Sequence, residues 1–267
     1  MRTGIDLKSE VIHRFVYELR YDLGQVYWDR AGRIAKKLLS ALDEWDCESI
    51  GFNVCRLVQR RLNLTFNFGP AKLDLSQTQN TDVETLVPAG EFGKLAESVS
   101  STVVENLELE FFPRIGFRAW HLYGASDRKQ SEQLVRDLGL FRLDSNLERS
   151  LGEISEISHR LTIDQTKHML RIAVAPFEQE VDVAPSLIRA AKARARDHNR
   201  EQKKVMLDRM KAEKKIKHYP QFGVLLDLDA YIEDPPYPDD LGVSDFIAAA
   251  FDDFGKVKQT VLTTVNT

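Results

Sequence analysis

Apolar and polar residues alternate along the first part of the chain, which predicts a sheet. From Val11 to Leu23 the odd-numbered positions are largely apolar or aromatic, and the even-numbered positions are largely charged. This period of two is typical of a strand with one face buried and the other in water. It predicts further strands over 50–58, 62–68 and 73–75. Because Gly69 and Pro70 lie between the last two, we expect those two strands to form a hairpin.

Between these strands the apolar positions change to the spacing of an amphipathic helix. Apolar stripes predict helices over 29–45, 88–107 and 127–138. A long aromatic strand is predicted over 109–124. Within it Ile115 and Phe117 point to one face, and Arg114 and Arg118 point to the other, because successive side chains of a strand alternate.

The periodicity is lost over 139–150, which marks the predicted boundary between two units, 1–138 and 151–267. In the second unit we expect a hairpin with strands over 157–163 and 169–177, and a strongly apolar strand over 222–232. Ser244 is predicted to cap the final helix. Both units combine antiparallel strands with covering helices, so the predicted fold class is α+β, with antiparallel sheets.

One long helix is predicted from Pro185 to His218, and its charge distinguishes it from the rest of the chain. These residues, which we name the basic stretch, contain twelve Lys or Arg and four Asp or Glu. The surplus of +8 leaves −12 for the other residues, since the chain totals −4. Residues 196–204 are polar on every side, so no apolar stripe would hold them against a core. The basic stretch is therefore predicted to project from an acidic body.

Composition and the first residues limit the class of protein. Hydrophobic residues make up 43% and charged residues 29%, which favours a folded globular protein over long disorder. The opening MRTGIDLKSEVIHR has no apolar core of a signal peptide, and no run reaches the length of a membrane span. We therefore expect a cytoplasmic protein that does not enter the membrane. Cys47 and Cys55 lack the spacing of zinc ligands, so free thiols and no cofactor are expected.

Three stretches of sequence stand out when taken together. They are the opening strand FVYELRYD, the Arg-Ile-Gly-Phe-Arg strand at 114–118, and the Leu-Asp-Leu-Asp-Ala-Tyr strand at 226–231 before a helix containing Phe251. In order and spacing they resemble a sporadically distributed family of uncharacterised bacterial proteins of about this length. The resemblance covers nearly the whole chain and implies a bacterial cytosolic protein. It implies no reaction and no functional residues.

Two pairs of charged residues are candidate ligand sites. Asp227 and Asp229 lie two apart on a strand, so both carboxylates project from one face and could hold Mg²⁺. The alternative is an outer strand face that meets solvent or the basic stretch. Arg114 and Arg118 also share a face and could bind a phosphate-bearing anion, because guanidinium groups match phosphate oxygens. The alternative there is pairing across strands with acids such as Glu18.

The motifs of the common enzyme classes do not occur in the sequence, which contains no G-x-S-x-G, P-loop, G-x-G-x-x-G or H-E-x-x-H. We therefore expect a non-enzymatic binding or assembly protein that docks another protein, or a second copy of itself, through the basic stretch. The residues expected to make the contact are Arg194, Arg196, Arg200, Lys203 and Lys204. Two alternatives stay open. One is a nucleic-acid-binding subunit that uses the same helix, and the other is a Mg²⁺-dependent nucleotide enzyme centred on Asp227 and Asp229.

Overall fold

The computed structural model describes residues 10–138, 158–179 and 216–263. Within these ranges the chain forms nine strands: β1 Val11–Arg20, β2 Asp46–Ile50, β3 Cys55–Gln59, β4 Leu64–Phe68, β5 Lys72–Thr78, β6 Arg114–Ala125, β7 His159–Asp164, β8 Met169–Glu178 and β9 Phe222–Glu233. The same ranges contain five helices: α1 Tyr27–Ala41, α2 Ala89–Leu107, α3 Arg128–Asp137, α4 Pro238–Leu241 and α5 Val243–Thr263.

The nine described strands form one antiparallel sheet in the order β2-β3-β4-β5-β1-β6-β9-β8-β7. β6 pairs with β9 along its whole length, from Arg114 opposite Glu233 to Ala125 opposite Phe222. Strands from both predicted units, 1–138 and 151–267, therefore lie side by side in the same sheet. With helices packed on it, this is an α+β fold, and the predicted class is confirmed.

The helices pack on the face of the sheet where the apolar strand residues point. Ile115 and Phe117 of β6 are fully buried on this face, as their alternation predicted. The ring of Phe15 on β1 lies 5.5 Å from Phe92 of α2 and 5.7 Å from Phe251 of α5. These contacts belong to a continuous hydrophobic cluster that includes residues of α1, α2, α3 and α5. Every second residue of the central strands is thereby left on the opposite face.

Two details of the sequence prediction are wrong. The single strand predicted over 50–58 is divided into β2 and β3 by a tight turn, in which the amide of Gly51 donates to the carbonyl of Val54 at 2.9 Å. Every residue of β2 is exposed at the edge of the sheet, so its sequence has no apolar alternation to reveal it. The final helix begins at Val243, directly after Gly242 with its φ of +68°, so Ser244 lies inside the first turn and is not the cap.

The predicted helix over 185–218 lies almost entirely outside the described residues, which stop at Gln179 and resume at Ile216. Where the chain resumes it forms a turn, in which the amide of Tyr219 donates to the carbonyl of Ile216 at 3.1 Å. The amide of Gln179 donates to the carbonyl of Gln221 at 2.9 Å, next to the last paired residues of β8 and β9. The chain therefore enters and leaves residues 180–215 from two neighbouring strands, at the same end of the sheet.

Candidate functional site

The face of the sheet opposite the helices carries charged side chains from five adjacent strands. They are Arg14 and Glu18 on β1, Arg114 and Arg118 on β6, Asp227 and Asp229 on β9, Arg171 on β8 and Arg160 on β7. We name this set of residues the open face. Alternation along each strand places them there, because their sequence neighbours point into the core. The two pairs of candidate residues, which the sequence located separately, are thus brought together.

Each aspartate of the open face is paired with one of the candidate arginines. Arg118 donates from Nε to Oδ1 of Asp227 at 2.6 Å and from Nη2 to the other carboxylate oxygen. Arg114 donates from Nη2 to both carboxylate oxygens of Asp229, at 2.9 and 3.2 Å, and from Nη1 to Glu18 at 3.1 Å. This is the cross-strand pairing that the sequence analysis gave as the alternative to anion binding.

Burial and hydrogen bonding change the pKa values of groups in these pairs. Burial raises the pKa of Asp229 above its usual value, although the positive charges of Arg114 and Arg171 act in the other direction. The hydrogen bonds to Asp227 raise the pKa of Arg118. The side chain of Asp229 is only 12% exposed, so it depends on its arginine partners to remain charged inside the sheet.

An indole ring holds two of the arginines in place. The guanidinium carbon of Arg14 lies 5.3 Å from the centroid of the Trp120 ring, and that of Arg118 lies 5.1 Å from it. The imidazole of His13 stacks on the same indole, with 5.6 Å between centroids and 13° between planes. A cation over an aromatic face is attracted by the negative electrostatic potential of that face. These contacts therefore restrict where the guanidinium groups can point.

The phenol ring of Tyr231 restricts the positions of two arginines near Asp229. The guanidinium carbons of Arg114 and Arg171 lie 4.7 and 5.3 Å from the centroid of Tyr231. Tyr231 is itself buried, at 5% exposure, so it cannot move away. Four arginines of the open face are therefore held against aromatic rings, and two of these, Arg114 and Arg118, are also hydrogen bonded to carboxylates.

The end of the basic stretch is fixed to the same face of the sheet. The hydroxyl of Tyr219 hydrogen bonds with Nδ1 of His13, the residue that stacks on Trp120. Nε2 of His218 lies 3.0 Å from Oε1 of Gln79, which follows β5. Burial and the neighbouring Arg14 lower the pKa of His13 to about 4, so its ring is neutral at pH 7. The chain leaving the basic stretch is thus held beside the aromatic and arginine cluster.

The residues predicted to make the macromolecular contact lie outside the described residues, so that prediction stays a prediction. They are Arg194, Arg196, Arg200, Lys203 and Lys204. Sequence reasoning missed Arg160 and Arg171, although Arg171 alternates with buried Leu170 and Ile172 in a predicted strand. It also missed Tyr219, which is a single aromatic residue after a polar segment and gives no periodic signal.

The metal site predicted at Asp227 and Asp229 also stays a prediction. The two carboxylates do project from one face of β9, as their spacing required. Both accept hydrogen bonds from arginine, which would compete with a cation for the same oxygens. Across the described ranges, no group of three or more His, Cys, Asp or Glu residues is placed to hold a metal ion.

A second polar cluster lies at the start of β1, on the core face. Oε1 of Glu10 lies 2.5 Å from Nδ1 of His121 and 2.8 Å from Nζ of Lys258 on α5. Burial alone would raise the pKa of Glu10, but these two partners outweigh it and lower the pKa to about 2. His121 is fully buried, and burial lowers its pKa. The cluster ties the start of β1 to the last helix and is separate from the open face.

Exposed apolar side chains gather at the tip of the β2–β3 hairpin. Phe52 is 73% exposed and Ile50 is 54% exposed. The ring of Trp28 packs 5.4 Å from Phe52 and donates from Nε1 to its carbonyl at 3.0 Å. Contiguous exposed apolar groups of this kind are typical of surfaces that contact other molecules. The open face and this hairpin tip are thus two distinct surface features.

Comparison of the chain with protein-family models, with curated proteins and with solved structures finds no match. The family resemblance given by the three sequence stretches therefore stays a prediction. In the part of the chain that the structure describes, no helix combines the length and the apolar character needed to cross a membrane.

Proposed function

We propose that this chain is a non-enzymatic binding protein of the bacterial cytoplasm that docks an anionic surface of another protein through the basic stretch. The observation that carries the proposal is that the chain on either side of residues 180–215 is attached to one end of the sheet. Gln179 and Gln221 are joined there by a backbone hydrogen bond of 2.9 Å. Segments that protrude from a rigid scaffold between fixed ends are the usual carriers of binding residues.

The attachment at the C-terminal end of the basic stretch reduces the conformational entropy that the segment would lose on binding. Tyr219 and His218 hydrogen bond with His13 and Gln79, so the chain leaves the basic stretch in a defined position. A segment whose ends are already ordered loses less conformational freedom when it meets a partner. This supports a docking role for the segment rather than the role of a spacer between domains.

The charge of the basic stretch indicates the chemistry of the partner. A surplus of +8 within 185–218 attracts an anionic surface and speeds its association. The remaining residues of the chain carry −12, so a second copy of the chain is one partner that satisfies this requirement. A different protein with an acidic surface satisfies the same requirement. Sedimentation velocity distinguishes this partner from a second copy of the chain.

Nucleic acid is the second candidate partner. The observation that favours it concerns Tyr219, which directly follows the basic stretch and hydrogen bonds with His13. His13 stacks on Trp120, and the same indole ring holds Arg14 and Arg118. Arginine and aromatic side chains on one surface are the groups that bind a phosphate backbone and its bases. In this version of the proposal, the open face and the basic stretch would bind the same strand.

The test compares two variants of equal charge change. The first replaces by glutamine the five predicted contact residues: Arg194, Arg196, Arg200, Lys203 and Lys204. The control replaces five exposed cations elsewhere on the body: Arg33, Lys36, Arg60, Arg61 and Lys94. Partners are identified by crosslinking to the wild-type chain and then purified, and the dissociation constant is measured for each variant.

We expect the first variant to bind the purified partner at least about tenfold more weakly, and the control to bind within about twofold of wild type. Self-association is measured by sedimentation velocity and binding to duplex DNA by titration at two salt concentrations. Loss of self-association in the first variant alone identifies a second copy as the partner. Equal binding by both variants, with every partner found, overturns the proposal.

A further inference from the structure

A polar cleft of about 200 Å³ opens on one side of the open face, across β6, β9, β8 and β7. It is lined by Arg118, Arg160, Arg171, Ala173, Asp227 and Asp229. Arg118 and Arg171 are 44% and 43% exposed, so their guanidinium groups are accessible from solvent. The cleft is thus formed almost entirely by charged side chains of four adjacent strands.

The positive charge in this cleft is not cancelled by its aspartates. Arg118 neutralises Asp227, and Arg114, which lies outside the cleft, neutralises Asp229. Nη1 of Arg171 is 3.7 Å from Asp229, which is beyond hydrogen-bond distance. Arg160 has no carboxylate within ion-pair distance among the residues that the structure describes. Arg160 and Arg171 therefore both keep unused N–H donors at the cleft.

The strand register places these two arginines within reach of one ligand. Arg160 lies opposite Ala173, and Arg171 lies opposite Thr162 two residues away. Diagonal neighbours of this kind are about 7–8 Å apart, which long side chains can span. Ala173 has only a methyl group, so the floor of the cleft between the guanidinium groups stays open. On the other side of Arg171, its guanidinium carbon lies 5.3 Å from the centroid of the Tyr231 ring, which restricts where the guanidinium group can point.

We propose that this cleft binds the phosphoryl group of a phosphate ester, with Arg160 and Arg171 as its main ligands and Arg118 at its rim. Guanidinium groups are always charged near neutral pH and present paired donors that fit phosphate oxygens. Arg114, which the sequence had suggested for an anion, is already occupied by Asp229 and Glu18. The site lies within the sheet and does not depend on the basic stretch.

The phosphoryl group can come from a free nucleotide or from the backbone of a nucleic acid, and the test uses a probe for each. Adenosine monophosphate provides a monoester, and a short single-stranded oligonucleotide without terminal phosphates provides diesters. Adenosine is the control ligand, because it lacks only the phosphoryl group. Binding to the full chain is measured by calorimetric titration at low salt, where an exposed ionic contact is strongest.

Three variants locate the site. Arg160→Gln with Arg171→Gln removes both guanidinium groups, and Ala173→Leu fills the floor of the cleft without any change of charge. Arg61→Gln is a control for the loss of a surface charge, because Arg61 is 78% exposed and lies in the turn between β3 and β4. All variants are checked for folding by their thermal unfolding profile.

We expect saturable binding of the monophosphate or the oligonucleotide and none of adenosine. The double variant and Ala173→Leu should each weaken that binding about tenfold or more, while Arg61→Gln leaves it unchanged. The probe that binds more tightly identifies the natural source of the phosphoryl group. If neither probe binds the wild-type chain, or if both cleft variants bind as tightly as wild type, the proposal is wrong.

Discussion

Gln179 and Gln221 are joined by a backbone hydrogen bond of 2.9 Å, on either side of residues 180–215. This bond continues the ladder of β8 and β9 by one more pair beyond Glu178 and Phe222. The two strands therefore stay paired up to Gln179, the last described residue before the segment. We expect that the basic stretch and the body of the protein can be altered separately.

The first prediction concerns removal of the segment. Replacing residues 181–214 by a short Gly-Ser linker should leave the fold intact, because Gln179 and Gln221 are already in contact and a shorter connection costs less entropy to close. We expect the midpoint of thermal unfolding to stay within a few degrees of wild type. A broad transition or loss of the far-ultraviolet circular dichroism of the sheet would show that the segment is part of the core.

The second prediction compares Arg114 and Arg118, two of the arginines of the open face. Arg114→Met should destabilise the protein by about 3 kcal/mol, because it leaves the buried carboxylate of Asp229 without its two hydrogen bonds. Arg118→Met should cost less than about 1 kcal/mol, because its side chain is 44% exposed and water can replace it at Asp227. Urea unfolding of both variants gives the two values, and equal losses would contradict this difference in burial.

The third prediction concerns the stability of the protein at acid pH. Burial lowers the pKa of His13 to about 4, whereas the unfolded chain has a value near 6.5, so the unfolded state binds a proton first. His13 therefore costs the protein almost no stability above about pH 6.5, and the cost grows as the pH falls towards 4. This loss of stability should amount to about 2 kcal/mol at pH 5. His121 and His168, whose pKa values burial also lowers, act in the same direction.

Urea unfolding between pH 7 and pH 5 measures this loss. The variant His13→Phe keeps an aromatic ring against Trp120 but cannot titrate, so its free energy of unfolding should fall less steeply over that range. An identical slope in wild type and variant would show that His13 does not contribute.

The fourth prediction concerns the attachment of the basic stretch. Tyr219→Ala should raise the pKa of His13 from about 4 towards 6.5, because removal of the phenol ring admits water to the imidazole. Tyr219→Phe keeps most of that cover and should leave the pKa low. Titration of the imidazole signals by nuclear magnetic resonance measures both. An unchanged pKa in the alanine variant would mean that Tyr219 does not bury His13.

Much of the fold follows from local patterns in the sequence. The alternation in β6, and in β1 from Phe15 onward, correctly identified which residues point into the core, whereas an irregularity between Ile12 and Arg14 breaks the alternation at the start of β1. The helical stripes located α1, α2 and α3 to within a few residues. The pairing of β6 with β9 could not be predicted, because alternation tells which face a residue occupies but not which strand lies beside it. β2 was missed because an exposed edge strand has no buried positions to mark it.

The same limit applies to the candidate site. Arg118 and Asp227 are separated by more than a hundred residues in the sequence, and only the register of β6 against β9 brings them together. Spacing along one strand showed that each pair shared a face, which left anion binding, metal binding and ion pairing as open alternatives. The sequence could not show that Arg160 and Arg171 lie near Asp227 and Asp229, because this depends on β8 and β7 lying next to β9 in the sheet.

The central claim is that the basic stretch, which lies in the connection between β8 and β9, makes the contact with an anionic partner. The most direct test measures the affinity of the purified partner for the full chain and for the chain with residues 181–214 replaced by a linker. The account predicts at least about a hundredfold loss of affinity in a variant that still unfolds cooperatively near the wild-type temperature. Undiminished affinity in that folded variant would contradict it.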